Sequence, residues 1–353
     1  MSHPGRLSVG AWAAALMKSM ATLDAMSPPS DPSGVRLHIV TGKGGTGKTT
    51  VAAALALALA SGGKRVLLCE VEDRQGIASI FDVAPLPYAE RRIAVGPDGG
   101  EVFALAIDTE AALLEYLDMF YRLGKAGKAL DRFGVIDFAT TIAPGLRDVL
   151  LTGKVFEATR RTQASRPTYD AVVLDAPPTG RIGRFLNVNT EVAGIAKVGL
   201  IRNQADSIMG LLKSGRTRIH LVTSLEEMPV QETLDSIIEL EGIGLPIGVI
   251  LVNLATESEL AFDDLHAAVR DELDETRIEA TLKEAGVEAD PPVVAGLLEL
   301  ARQHGERVML EREQQTRLEA VGVPVVALPR VQDGIDVGAL YELANQLCAS
   351  EEF

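Results

Sequence analysis

From Val35 onward, short and nearly continuous apolar runs alternate with longer stretches of helical period. The runs lie at 37–41, 65–71, 102–107, 171–175, 219–223, 248–253 and 325–328, each bounded by Gly, Pro or polar residues. Apolar runs without strict alternation suit strands buried on both faces of a parallel sheet. Between them, helical spacing marks 49–60, 111–123, 231–241, 260–272 and 292–318. The alternation predicts an α/β fold: a doubly wound, mainly parallel sheet with right-handed crossovers. Residues 108–167 are mainly of helical pattern and longer than one crossover needs, so they read as an α-helical insertion or subdomain. Within it Leu113, Leu114, Leu117, Phe120 and Tyr121 recur at helical spacing as a core-facing stripe, or as a surface for a hydrophobic client. Residues 1–34 read as a mobile N-terminal tail ending in a Pro/Ser linker, which leaves 35–353 as the folded domain. The apolar stretch 10–26 contains Lys18 and Asp24 and follows no basic cluster, so it does not fit a signal peptide.

Composition narrows the functions. The formal net charge is −15, which argues against non-specific nucleic-acid binding through phosphate neutralisation. Aromatic residues make up 4% of the chain, so Ala, Val, Leu and Ile must build the core. Cys69 and Cys348, the only cysteines, cannot supply a four-cysteine zinc site, a CxxC pair or an iron–sulfur cradle. Two lone thiols suit a reducing, cytoplasmic setting, with Cys69 a buried strand residue. His3, His38, His220, His266 and His304 are scattered without ligand spacing and read as structural.

The most informative stretch is Gly42-Lys43-Gly44-Gly45-Thr46-Gly47-Lys48-Thr49-Thr50, set between an apolar strand and an Ala/Leu-rich helix. Gly42, Gly47, Lys48 and Thr49 fit the G-x-x-x-x-G-K-[S/T] phosphate loop. Its glycines bring backbone N–H groups against phosphate oxygens at a helix N-terminus, where unpaired donors and the dipole favour anions. Lys48 is placed to bridge the β- and γ-phosphates of ATP, and the Thr49 hydroxyl to ligate Mg²⁺. Gly42, Gly44 and Gly47 also satisfy the dinucleotide pattern G-x-G-x-x-G, with Glu70 as a ribose-binding acid. Lys48-Thr49 argues against that reading, because a dinucleotide turn needs neither side chain. The run 171–175 ends in Asp175, the second Mg²⁺-site element, acting through the metal's water shell. Ala176-Pro177-Pro178-Thr179-Gly180 then forms a stiff turn suited to switching between two conformations.

Lys43 within this loop, together with Asp175-Ala176-Pro177-Pro178-Thr179-Gly180-Arg181, resembles the arsenite-pump (ArsA) and tail-anchored-protein targeting ATPase family, most nearly its actinobacterial branch. The resemblance runs from about Val35 to the C-terminus and includes Pro144-Gly145 and residues 226–233. It implies a deviant phosphate-loop ATPase that binds ATP/ADP and Mg²⁺ as a dimer with two nucleotides at the interface. Lys43 would then reach the phosphates held by the other subunit, Asn253 would hydrogen-bond the adenine, and Pro329 would lie beside the base. The water-orienting aspartate of the family falls on Glu72, followed by Asp73 instead of Pro. Clustered arsenite-binding cysteines and the zinc-bridging CxxC are both missing, and Met119, Phe120 and Tyr121 are a sparse echo of a client-binding helix.

With one phosphate loop per chain, the subunit is expected to pair with itself or with a paralogous ATPase. Two functions follow: an ATP-hydrolysing dimeric switch that controls an unidentified partner, such as a membrane protein or hydrophobic client, or a weakly hydrolysing scaffold subunit of a heteromer. Glu72 keeps the second open. No cysteines suit an electron-transfer iron–sulfur ATPase, and Glu351-Glu352-Phe353 is not the basic amphipathic ending of a membrane-patterning one.

Overall fold

The computed structural model describes residues 34–71, 75–121, 144–187, 200–332, 334–350 and 352–353. The seven runs expected to be strands, with β3 added, form an eight-stranded sheet: β1 (Leu37–Gly42), β2 (Arg65–Glu70), β3 (Arg91–Val95), β4 (Glu101–Ala106), β7 (Ala171–Asp175), β8 (Thr217–Thr223), β9 (Ile247–Ala255) and β10 (Val325–Pro329). Their order across the sheet is β10-β9-β8-β1-β7-β2-β4-β3. Every pairing is parallel except β3 with β4.

Alternation along each strand divides the core. Leu37, Ile39, Leu67, Cys69, Val172, Leu174, Ile219 and Leu221 face one layer of helices. Val40, Val66, Leu68, Ala171, Val173 and Val222 face the other. This is the period-two geometry of a strand with both faces covered. On the second face lies α1 (Lys48–Leu59), whose Ala/Leu sequence is buried from Val51 to Ala58 because the helix is held between the sheet and α11 (Val337–Ala349).

Three corrections concern the elements. Strand β3 was not among the expected ones: Arg91-Arg92 opens it, both side chains are exposed, and it is the antiparallel edge, where charge is tolerated. The stretch 108–167 also holds the two-residue strands β5 (Thr162–Gln163) and β6 (Arg166–Pro167), an antiparallel hairpin turned by Ala164 and Ser165 in the left-handed region. Its helices among the described residues are α3 (Thr109–Tyr121) and α4 (Pro144–Arg160), joined by Lys154 Nζ to Glu115 Oε1 at 2.8 Å. Of the expected stripe, Leu113 is buried in the core and Leu114 packs against it, while the side chains of Leu117, Met119, Phe120 and Tyr121 lie outside the described residues. The helix expected over 260–272 ends at Val269 (α8, Phe262–Val269), shortly before Asp271 turns left-handed with φ 55°. The other α-helices among the described residues are α2 (Gly76–Ile80), α5 (Thr179–Leu186), α6 (Leu200–Leu212), α7 (Glu227–Gly242), α9 (Glu275–Glu284) and α10 (Pro291–Glu319). Among the described residues no helix is long and apolar enough to cross a membrane.

Beneath the centre of the sheet, His38 on β1 and His220 on β8 are buried and stacked, ring centroids 5.3 Å apart. The amide of Val249 donates to His220 Nδ1 at 3.3 Å, which puts the His220 proton on Nε2, 3.1 Å from His38 Nδ1. Both rings are therefore neutral, and burial lowers His38 from an ordinary 6.5 to about 4 and His220 well below its ordinary value. The unfolded chain takes up these protons first as pH falls. Stability from the pair is whole above about pH 6.5 and lost progressively below it, His38 alone costing about 2 kcal/mol near pH 5. Urea-unfolding midpoints followed from about pH 7.5 to about pH 5 should fall steeply in the parent and less in a His38→Leu/His220→Leu double variant. Equal slopes would refute the assignment.

The chain runs from β1 outward to β2, then places β7 between them and β8 to β10 on the other side of β1. Strand order thus reverses at β1, and in open α/β sheets ligands bind beyond the strand C-termini at such a point.

Candidate functional site

Beyond the C-terminus of β1, residues 43–47 form a loop that leads straight into α1. Two of its glycines are required by their surroundings. A Cβ on Gly42 would sit 2.0 Å from the Val222 carbonyl of β8, and one on Gly47, where φ is 83°, would sit 2.3 Å from Asn253 Nδ2. The loop is braced from inside. Thr46 is buried, and its hydroxyl lies 2.9 Å from the Lys43 carbonyl and 3.3 Å from that of Val222. Asn253 Nδ2 donates to the Thr46 carbonyl at 2.9 Å. Lys48 Nζ folds back to within 3.5 Å of the Lys43 carbonyl. The first turn of α1 contains no acidic residue, so no side chain of its own offsets the N–H groups and dipole that face the loop.

Next to the loop, Asp175 ends β7, the strand paired with β1, and is 7% exposed. Thr49 Oγ1 donates to Asp175 Oδ2 at 2.7 Å. A hydroxyl and a carboxylate are hard oxygen donors, the chemistry that suits Mg²⁺, and the adjoining phosphate loop supplies the nucleotide oxygens such an ion also needs. These residues fit that cation. The turn after Asp175 is fastened to the strand before the loop, because Thr41 Oγ1 donates to the Pro177 carbonyl at 2.7 Å.

Glu70, also buried, ends β2 in register with Asp175. Its Oε1 accepts the Gly76 N–H at 2.8 Å at the start of α2. The carboxylate is thus engaged within its own turn, which disfavours the dinucleotide reading in which it would hold a ribose.

The structure brings Gly42 to Thr50, Asp175 and Asn253 together, with Asn253 directed at the loop's backbone. Pro329 pairs in register with Ala255, so it shares the C-terminal edge of the sheet with Asn253. It borders a groove of about 910 Å³ shared with Leu225, Thr256 and Glu311. Glu72 and Asp73 lie outside the described residues.

Three features were not singled out from the sequence: the Asn253–Thr46 brace, the Thr41–Pro177 fastening, and Glu232. The carboxylate of Glu232 pairs with Lys43 Nζ and accepts Thr179 Oγ1 at 3.1 Å. Hydrogen bonding from Lys43 holds the Glu232 carboxyl below the usual range. Positions 43 and 232 are 189 residues apart, and no local pattern links them.

The family profile described as anion-transporting ATPase matches residues 35–214. ATPase BagA of Mycobacterium tuberculosis (strain H37Rv) is 55% identical over 320 residues, covering 90% of this chain and 94% of that protein. The arsenical pump-driving ATPase of Escherichia coli is 29% identical over 253 residues, 65% of this chain but 41% of the pump protein. Protein Rv2184c of M. tuberculosis is 29% identical over 171 residues, 46% of this chain and 39% of that one.

Proposed function

The chain belongs to the anion-transporting (ArsA) ATPase family and is an ATPase, and we propose that it works as an Mg²⁺-dependent switch in which two subunits close around ATP. The observation that carries this reading is the Thr49–Asp175 contact of 2.7 Å beside a braced phosphate loop. The backbone of residues 42–47 and the first turn of α1 cradle the phosphates, and Lys48 bridges the β- and γ-groups. Thr49 and Asp175 would hold the cation, the hydroxyl as an oxygen donor and the buried carboxylate as the negative charge that attracts it. When bound, Mg²⁺ offsets the charge that develops between the β- and γ-phosphates. Glu72 orients the attacking water. Lys43 completes the charge stabilisation from across the interface, so turnover depends on closure. Asn253 and Pro329 serve the adenine side, and for Asn253 this means turning its amide away from Thr46.

Arsenite is not part of this reading. Cys69 is fully buried in β2 and Cys348 is exposed on α11, and burial pushes the Cys69 thiol well above its ordinary value, away from the thiolate a metalloid needs. The controlled partner is a membrane protein or a hydrophobic client in the cytoplasm.

The test is ATP hydrolysis by the purified chain with Mg²⁺ and with excess EDTA, alongside sedimentation with and without ATP. Mg²⁺-dependent turnover and ATP-dependent self-association are expected. A chain that binds ATP but turns it over only when a paralogous subunit is added would instead be the scaffold member of a heteromer, the reading that glutamate at position 72 favours. Failure to bind Mg–ATP at all would remove both.

A further inference from the structure

Glu232 has no part in the roles assigned above, yet it touches two elements that face the nucleotide. It stands in the first half of α7, with one carboxylate oxygen against Lys43 Nζ and the other accepting from Thr179 Oγ1 at 3.1 Å. Lys43 belongs to the phosphate loop. Thr179 begins α5, at the end of the turn that leaves Asp175. A single anionic group therefore joins the loop to the turn beside the cation site. The two charged side chains are partly open, at 29% exposure for Lys43 and 35% for Glu232. Water and competing anions can reach such a pair, so it biases the lysine toward one place without locking it there.

An ammonium engaged by a carboxylate of its own chain has to leave it before it can neutralise phosphate on another. We propose that Glu232 is a positioning residue that parks Lys43 on its own subunit and ties its release to the turn after Asp175. The inference rests on the reading of Lys43 as the lysine given across the interface. Polyanionic phosphate competes for the ammonium, and movement of Thr179 with the turn removes the hydrogen bond that steadies the carboxylate. Lys43 then becomes available as the two nucleotide-facing elements rearrange together. The pair thus sets a threshold on closure, so that chains holding no triphosphate keep the lysine at home.

Glu232→Gln keeps the size of the side chain and an acceptor for Thr179 but removes the charge, while Glu232→Asp restores it one methylene short. Reductive methylation of the nucleotide-free chain, read by peptide mass spectrometry, should modify Lys43 about two- to fivefold faster in Glu232→Gln than in the parent, with Glu232→Asp between them. In sedimentation with Mg–ATP, Glu232→Gln should self-associate at a protein concentration about two- to fivefold lower. A merely structural glutamate would lower the melting temperature and leave the Lys43 modification rate where it was, and that outcome overturns the proposal. Faster modification without tighter self-association overturns it as well. Lys43→Ala separates the two levels. If it leaves Mg–ATP-dependent association unchanged, the interface role of Lys43 fails and this inference fails with it. If it weakens association while Glu232→Gln does not strengthen it, this inference alone fails.

Discussion

Lys48→Ala is expected to lower ATP turnover by about a hundredfold or more, the usual consequence of removing a preorganised cation from a developing phosphoryl charge. The reason is local. Lys48 opens α1, and its ammonium reaches back across the mouth of the loop to within 3.5 Å of the Lys43 carbonyl. No neighbouring side chain in the loop carries that charge except Lys43, which pairs with Glu232. The backbone cradle survives the substitution, because its brace runs through Thr46 and Asn253. Thermal unfolding distinguishes lost chemistry from lost fold. In the parent, ATP at about a hundred times its Kd should add about 2.7 kcal/mol of stability. In Lys48→Ala the melting temperature without nucleotide should stay near the parent value, while most of the ATP-induced rise disappears. A variant that turns over ATP at the parental rate would show that the loop is not the catalytic cradle.

Asp175→Asn should separate metal from nucleotide. The carboxylate is buried at the end of β7 and accepts the Thr49 hydroxyl, so the two groups form one oxygen site. Asparagine preserves shape and one acceptor but removes the negative charge that attracts a hydrated divalent ion. Residues that act on a metal through its waters typically contribute about 10- to 100-fold in affinity. Titration of Mn²⁺ by electron paramagnetic resonance, with a non-hydrolysable ATP analogue bound, should show a loss of that size. Hydrolysis should fall in parallel, and binding of the analogue in EDTA should be unchanged. Unaltered Mn²⁺ affinity would place the cation elsewhere.

What could be read from the sequence depended on whether the signal was contiguous. The central strands announce themselves because parallel strands covered on both sides are apolar at nearly every position, as β7 is from Ala171 to Leu174. Strand β3 escaped because it is an edge, and Arg91 and Arg92 sit where the pattern requires apolar residues. The hairpin at 162–167 escaped because two-residue strands carry no period. The loop from Gly42 to Thr50 was legible as a motif, since the groups that meet phosphate are neighbours in the chain. Its supports were not. Asn253 lies 207 positions from Thr46 and Pro177 lies 136 from Thr41, and such pairings exist only once the sheet has set β9, β8, β1 and β7 in that order.

The two thiols are as unlike as two cysteines can be. Cys69 is sealed within β2, whereas Cys348 is exposed on α11 with its sulfur 3.6 Å from the Ala58 carbonyl near the far end of α1. A maleimide fluorophore should therefore attach at one address in the native protein without any mutagenesis. That address touches the helix whose opposite end holds Lys48 and Thr49, so the dye would be a ready-made reporter of whatever strain nucleotide binding sends along α1.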